Sequence, residues 1–400
     1  MGNCLAGEEK RVRNPDQGTG DPIASTTKTI TTLEISGNLN AEIAAVLCDL
    51  LPTWKCPSAR DIDVTIISGG ISNALYRVSL RRVLASPFDA ASFSSRTAVN
   101  EPVVVLRVYG ENTEKFVDRE TEVKTMRVLH RHGFGPEVLG VFGNGRVESF
   151  LSGKVCLEPG DLGREDVAVT IAETLARFHL ISSGKGGAPR TPHGFPVPRP
   201  SATKMDTPFR KTRSWLETAK TLESSYDKKQ LKIFKELDVA AILEELGKLE
   251  TKATALRSPM AFTHNDLLSG NIMVRRTSEG IESMTFIDFE YADWAPRGFD
   301  LGNHFCEYAG FDCDYSKYPD ESHTFVRAYL RVFDGAEPSQ RRVKQVVREA
   351  NLFALAAHLY WAAWSMLQAK WSSIDFDYMA YAKLRVDEYY KRRSDFLVTM

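Results

Sequence analysis

Two short segments hold the residues best suited to chemistry. His264-Asn265-Asp266-Leu267-Leu268-Ser269-Gly270-Asn271 sets an Asp five positions before an Asn, and Ile287-Asp288-Phe289-Glu290 adds a second Asp after the apolar run Met284 to Ile287. Phosphoryl transfer from ATP requires such a set: one carboxylate takes a hydroxyl proton, while an Asn and a second Asp hold Mg2+ on the phosphates. Mg2+ prefers oxygen ligands and keeps several waters, so one or two side chains suffice. Asn, Asp and Gly are also ordinary turn residues, and a lone Asp and Asn would mean little. The ordered set, with an apolar strand, a second Asp and a β-rich stretch ahead of it, favours the chemical reading.

The other half of a nucleotide site is expected upstream. Ser68-Gly69-Gly70-Ile71-Ser72-Asn73 lies between two strand candidates. A Gly/Ser turn there can aim backbone N–H groups at phosphate, although Gly-Gly hairpins are common. Arg107 sits in the apolar run Val103 to Tyr109. A charge in a buried strand needs a partner, and Glu122 on the next helix is the expected one. That pair would match the strand cation and helix carboxylate with which kinases reach the α/β-phosphates, here with Arg in place of Lys. The bland alternative is an edge Arg without a role.

A positively charged acceptor could be recognised further along. Trp361 and Trp364 share one helix face, Tyr378 and Tyr381 repeat the spacing, and Glu307 offers a negative charge. Aromatic faces and carboxylates both bind cations. Aromatics at helical spacing are more often core, and from the residues alone the core reading leads. His264 and His304 are expected to orient their loops rather than to titrate.

The elements that must position these groups follow from periodicity. Helix is expected over Ala41 to Leu51, and strands over Asp63 to Ile67, Leu75 to Val83 and Val103 to Tyr109. A helix over Asp118 to His130 follows, then strands Val138 to Phe142 and Arg146 to Leu151 around Gly143-Asn144-Gly145. Beyond Gly153 helices dominate: Asp166 to Ser182, most of Phe209 to Ala255, Ser322 to Val332, and Gln340 to Arg392 with short breaks. The strand-like segment Ala261 to Asp293 lies between them. The expected architecture is α+β and two-lobed. A polar tail spans 1–30, a small antiparallel β-rich lobe with one helix spans 31–152 as the nucleotide-binding part, and a larger mainly helical lobe spans 153–400. A cleft between two such lobes is the usual place for a ligand.

Composition excludes other classes. Lys plus Arg is 51 against 52 Asp plus Glu, a net charge of −1, which argues against a general nucleic-acid binder. The six cysteines, Cys4, Cys48, Cys56, Cys156, Cys306 and Cys313, form no CxxC pair. They suggest neither a disulfide scaffold nor a zinc site, and a reducing, cytoplasmic setting. The apolar run Leu352 to Ala369 approaches membrane-spanning length, but His358, Ser365 and Gln368 interrupt it and Trp361 and Trp364 sit mid-run, so a buried helix is expected. Met1-Gly2-Asn3-Cys4 admits acylation at Gly2 and Cys4 with a basic patch at Lys10, Arg11 and Arg13, although Ala6 stands where the motif prefers Ser or Thr. A homodimer and the role of the 86–102 insertion stay open.

The chemistry-bearing segments together resemble a known family. His264-Asn265-Asp266 through Asn271, Ile287-Asp288-Phe289-Glu290-Tyr291, and Arg297-Gly298-Phe299-Asp300-Leu301-Gly302-Asn303-His304-Phe305-Cys306-Glu307 are similar to the choline/ethanolamine kinases. Leu106-Arg107-Val108-Tyr109-Gly110 and His358 through Gln368 match as well, so the resemblance covers about residues 60–395. It implies a protein-kinase-like fold that moves the γ-phosphoryl of ATP to the hydroxyl of a small amino alcohol. By resemblance Asp266 is the base, Asn271 and Asp288 bind Mg2+, and Glu148-Ser149-Phe150-Leu151 is the hinge that holds adenine. Trp361, Trp364, Tyr378 and Tyr381 then become a cation-binding wall. Leu268, where choline kinases commonly carry Gln, and the segments Asn112-Thr113-Glu114 and Val117-Asp118-Arg119-Glu120 resemble the ethanolamine type, while the Trp361 to Tyr381 tail is equally similar to choline kinases. Ethanolamine is therefore expected first, with weaker choline use, and the product would feed phosphatidylethanolamine synthesis. The rivals are an aminoglycoside-type kinase of the same fold and a pseudokinase scaffold. A protein kinase is disfavoured because no Asp-Phe-Gly or Ala-Pro-Glu is present.

Overall fold

The computed structural model describes residues 38–55, 57–67, 73–81, 103–110, 118–181, 208–310, 312–319, 323–372 and 374–398. The 1–30 tail with Gly2 and Cys4, the turn residues Ser68, Gly69, Gly70 and Ser72, the 86–102 insertion and residues 112–117 lie outside them.

The first lobe is a five-stranded antiparallel sheet. Its elements are α1 (Leu39–Leu50), β1 (Ile62–Ile67), β2 (Asn73–Leu80), β3 (Val103–Tyr109), α2 (Arg119–Arg131), β4 (Val138–Phe142) and β5 (Gly145–Ser149), with strand order β1-β2-β3-β5-β4. Alternation along the strands sends Tyr76, Val78, Val104, Leu106 and Val147 to one face, where Ile43 and Leu47 of α1 cover them. The lobe thus carries two helices, not one, because one apolar face needs a lid that α2 does not supply. Val123, Met126 and Leu129 of α2 instead join the core of the second lobe. Asp118 caps α2 by accepting from the Thr121 amide at 3.1 Å, and Glu120 and Glu122 complement the helix N-terminus. Cys48 on α1 is disulfide-bonded, which a reducing setting does not lead one to expect.

The second lobe comprises β6 (Val155–Cys156), α3 (Glu165–Leu180), α4 (Pro208–Thr221), α5 (Lys228–Leu237), α6 (Val239–Ala255), β7 (Met260–Thr263), β8 (Ile272–Thr277), β9 (Gly280–Phe286), β10 (Asp293–Pro296), α7 (Arg297–Cys306), α8 (His323–Phe333), α9 (Gln340–Trp371) and α10 (Tyr378–Val398). The apolar run from Leu352 is the middle of α9 and is buried nearly all round, as a helix at the centre of a large lobe must be. No helix among the described residues is long and apolar enough to cross a membrane. Two short sheets, β10-β7 and β6-β8-β9, frame the segment that carries the chemistry.

α7 is wholly buried and crosses α9 very closely. A Cβ on Gly302 would stand 2.4 Å from the Ala350 carbonyl oxygen and 2.5 Å from the Ala354 nitrogen. Both obstacles are backbone, so neither can swing away. Gly302→Ala is expected to lower stability by about 2 kcal/mol, the usual scale of overpacking. Thermal unfolding of the variant checks this, and an unchanged midpoint would mean the two helices have room to separate.

Candidate active site

Sheet register brings the two segments together. β8 pairs with β9 so that Ile272 faces Phe286, and the ladder continues with the Ile287 amide donating to the Asn271 carbonyl at 3.0 Å. Asn271 and Asp288 therefore meet at the open end of the hairpin. β7 delivers the other side: it ends at Thr263, paired with Asp293 of β10, and the chain turns into the 264–271 loop. Asn265 and Asp288 both have positive φ, at 65° and 64°. Asn and Asp tolerate that region better than other side chains, and such strain persists where the surroundings dictate it.

Those surroundings are hydrogen bonds. His264 donates through Nε2 to the Ile287 carbonyl at 2.9 Å and accepts at Nδ1 from the Asp266 amide at 3.3 Å, so one ring fixes the backbone beside both Asp residues. Burial holds its pKa below the usual range, against the pull of Asp300, so it stays neutral. His304 donates to the Leu267 carbonyl at 2.8 Å, and burial lowers it to about 4. Both histidines orient rather than titrate, as their surroundings in the sequence suggested. Asp300 on α7 anchors the loop: Oδ2 accepts from the His264 amide at 2.7 Å and from His179 at 2.9 Å, and Oδ1 from the Asn265 amide at 2.8 Å. Asn303 adds a bond to the Asn265 carbonyl at 3.0 Å. Asp300 and Asn303 were not singled out by sequence reasoning. The signal that could have found them is their place in the 297–307 segment that resembles the kinase family, where they stand three residues apart, one turn of a helix.

Asp266 is partly buried and surrounded by like charge. Burial, then Glu307, Asp288 and Glu290 in turn, push its pKa well above the usual aspartate range. Burial with Asp288 alongside also raises Glu290 to about 7, against the pull of Arg119. Glu307 is raised by burial and drawn back by Arg385. Asp288 goes the other way: burial opposes its charge, but Arg107 and Arg146 hold it below the usual range. The site therefore has more carboxylate than its cations offset, the condition a bound cation relieves.

The residues present fit Mg2+. No cluster of three or more His, Cys, Asp or Glu able to hold a metal occurs among the described residues. Asn271 uses its amide nitrogen on the Asp266 carbonyl at 2.8 Å and on Asp266 Oδ2 at 3.1 Å, which leaves its amide oxygen for a metal beside the ionised Asp288. Two hard oxygen donors suit a cation that completes its shell with water and phosphate.

Arg107 does face this centre, but not with the partner expected. Its guanidinium lies 3.3 Å from Asp288 and 3.4 Å from Glu148. Glu122 is held instead by Arg146 at 3.0 Å and Arg119 at 2.9 Å. Arg107 and Arg146 are direct cross-strand neighbours, hence on one face of the sheet, and Arg146 on β5 is the one that takes the α2 carboxylate. Arg119 also lies 3.3 Å from Glu290, joining α2 to the second lobe, and bonds Asn73 at 3.3 Å. The hinge needs a correction too. Glu148 pairs with Val105 on one side and Val138 on the other, and its side chain holds Arg146 at 2.6 Å. Its main chain is occupied by the ladder, so an adenine would have to meet the chain beyond β5, at Phe150 and Leu151.

The aromatic residues do assemble. Trp361 and Trp364 meet edge to face with centroids 5.5 Å apart, and Trp364 meets Tyr378 at 5.7 Å. Trp361 is buried and donates its indole N–H to Asn303 at 2.7 Å, whereas Trp364 is half-buried and donates to the Tyr291 hydroxyl at 2.9 Å. Tyr291, which Asp266 and Glu290 both influence, ties the wall to the carboxylates. Tyr381 accepts from Arg385 at 3.3 Å, and Arg385 approaches Glu307 at 4.0 Å.

A family model described as choline/ethanolamine kinase matches residues 64–390. The chain belongs to the choline/ethanolamine kinase family. Among the relatives of this kinase is a probable ethanolamine kinase of Arabidopsis thaliana, 36% identical over 350 residues, covering 87% of this chain and 84% of that one. A probable choline kinase of the same plant is 33% identical over 328 residues, covering 80% of this chain and 86% of its own. Among solved structures, the Plasmodium vivax ethanolamine kinase superposes with a TM-score of 0.69 at 25% identity, over 90% of each chain. The two-lobed kinase fold expected from the sequence is thus the fold of this family.

Proposed function

We propose that this kinase transfers the γ-phosphoryl group of ATP to the hydroxyl of ethanolamine. The observation that carries the reading is the convergence of Asp266, Asn271 and Asp288 beside Glu307 and an aromatic wall. Nucleotide binding is assigned to the 31–152 lobe and acceptor binding to the 153–400 lobe. Arg107 lies at the phosphates and Phe150 and Leu151 at adenine; Ser68, Gly69, Gly70 and Ser72, expected at the phosphates from the sequence, lie outside the described residues. Mg2+ held by Asn271 and Asp288 would neutralise charge on the transferring phosphate. Asp266 accepts the acceptor's hydroxyl proton, and Asn271 fixes the carboxylate by its bond to Oδ2. Glu307 faces the acceptor ammonium, with Trp364, Tyr378 and Tyr381 around its carbon chain and Trp361 buttressing Trp364.

Ethanolamine is preferred over choline because a primary ammonium has three donors for carboxylate oxygens, whereas a quaternary one has none. The first-named plant relative points the same way. The aromatic wall and the choline-kinase relative support choline as the second reading. Steady-state kinetics with each amino alcohol decide: kcat/KM for ethanolamine should exceed that for choline by at least about tenfold, well short of the roughly 10⁴-fold at which a site built wholly for N–H donors rejects an analogue without them, because the aromatic wall also accepts choline. A higher value for choline reverses the assignment.

A further inference from the structure

Arg385 on α10 is 2% exposed, yet most of its hydrogen-bonding capacity is unused. Nη1 donates to Tyr381, while Nε and Nη2 meet no hydrogen-bond partner among the described residues. Buried guanidinium groups are normally bound on all sides, because desolvating a cation is expensive. The Tyr315 and Tyr381 rings flank it at 5.9 and 5.8 Å. The other groups around it carry no compensating charge. Burial pushes the Cys306 thiol up to about 12 and raises that of Cys313. Burial and the cations Arg385 and Arg392 keep His358 neutral. Glu388 on the same helix is engaged by Arg392 and by Lys391. Among the described residues Glu307, 4.0 Å away, is the carboxylate left to answer Arg385, and it and Asp266 repel each other.

We propose that Arg385 is the positioning residue for acceptor recognition, anchoring the Glu307 carboxylate beside the ammonium end of the acceptor and thereby selecting acceptors with a positive nitrogen. This rests on the ammonium role given to Glu307 above. Glu307 is partly buried, which favours its neutral form, and Arg385 opposes that; the repulsion between Glu307 and Asp266 shows as a raised pKa at Asp266. Without that cation Glu307 takes up a proton at higher pH than it otherwise would. The acceptor then loses Coulomb attraction while keeping its hydroxyl contacts. The effect belongs to acceptor KM, not to phosphoryl transfer.

The test is steady-state kinetics with ethanolamine and MgATP on the whole protein, from about pH 6 to about pH 8.5, below the range in which a primary amine loses its proton. Arg385→Met should raise ethanolamine KM at neutral pH by about tenfold or more, as expected when one member of a buried charge pair is removed. That KM should fall again as pH rises and Glu307 ionises, while KM for ATP stays close to wild type. Arg385→Lys should restore much of the affinity and the wild-type pH profile, and Glu307→Gln should raise KM without the pH dependence. If the Met variant does not fold, Arg385→Gln takes its place. An Arg385→Met or Arg385→Gln variant whose KM is unchanged, rises equally at every pH, or rises in step with KM for ATP overturns the proposal while leaving Glu307 in place. An unchanged ethanolamine KM in Glu307→Gln instead removes the Glu307 reading itself.

Discussion

Asp266→Asn is expected to reduce kcat by on the order of 10²- to 10⁴-fold, the range for loss of a general base. Nucleotide affinity should hardly change, since Asp266 is assigned to the acceptor hydroxyl and not to the phosphates. The Asn side chain keeps the shape and can still meet Asn271, so a folding defect is not the expected cause. The wild-type pH profile gives a second readout. Burial and the neighbouring carboxylates raise the pKa of Asp266, and a base works only when ionised. Activity is therefore full above the raised pKa and is lost as pH falls through it. The acid limb should sit above the usual aspartate range and should disappear in the Asn variant. Near-normal turnover in Asp266→Asn would remove Asp266 as the base.

Asp288→Ala should lower kcat/KM by about 10³-fold or more, the scale of removing one charge-stabilising group from a phosphoryl-transfer site. Activity should not recover at raised Mg2+. The substitution also strips Arg107 of a carboxylate 3.3 Å away inside the cleft, and an uncompensated buried cation is destabilising. Asp288→Asn, which keeps the volume and one oxygen, separates the two effects: it should fold like wild type and still lack Mg2+-dependent turnover. Full activity in Asp288→Asn with an unaltered Mg2+ requirement would refute the metal assignment.

The two segments were legible because their geometry is local. Asp266 and Asn271 share one loop, and a single hairpin carries the chain back to Asp288, so spacing nearly dictates proximity. The helical and strand patterns that frame them were legible for the same reason, apart from the two-residue β6 and the four-residue β10, which are too short to show a period, and α7, which is buried all round and so shows no amphipathic alternation to read. Partner choice was not. Arg107 was expected to meet Glu122 because kinases pair a strand cation with a carboxylate on the following helix. Which arginine of a cross-strand pair meets α2 depends on how that helix lies across the sheet. The place of Glu148 in the hinge was hidden in a similar way: pairing on both sides by β3 and β4 is a property of the assembled sheet.

The amino-acid sequence determined the family, the two-lobed order of elements and the side chains that bear the chemistry, because alternation, helical period and short-range spacing are written in consecutive residues. Only the tertiary structure decided which charges meet, how far each pKa moves, and that Asp300, Asn303 and Arg385 stand behind the residues facing the cleft. Those outcomes depend on burial and on distances between groups far apart along the chain, and both come into being only when the lobes and the long central helix pack.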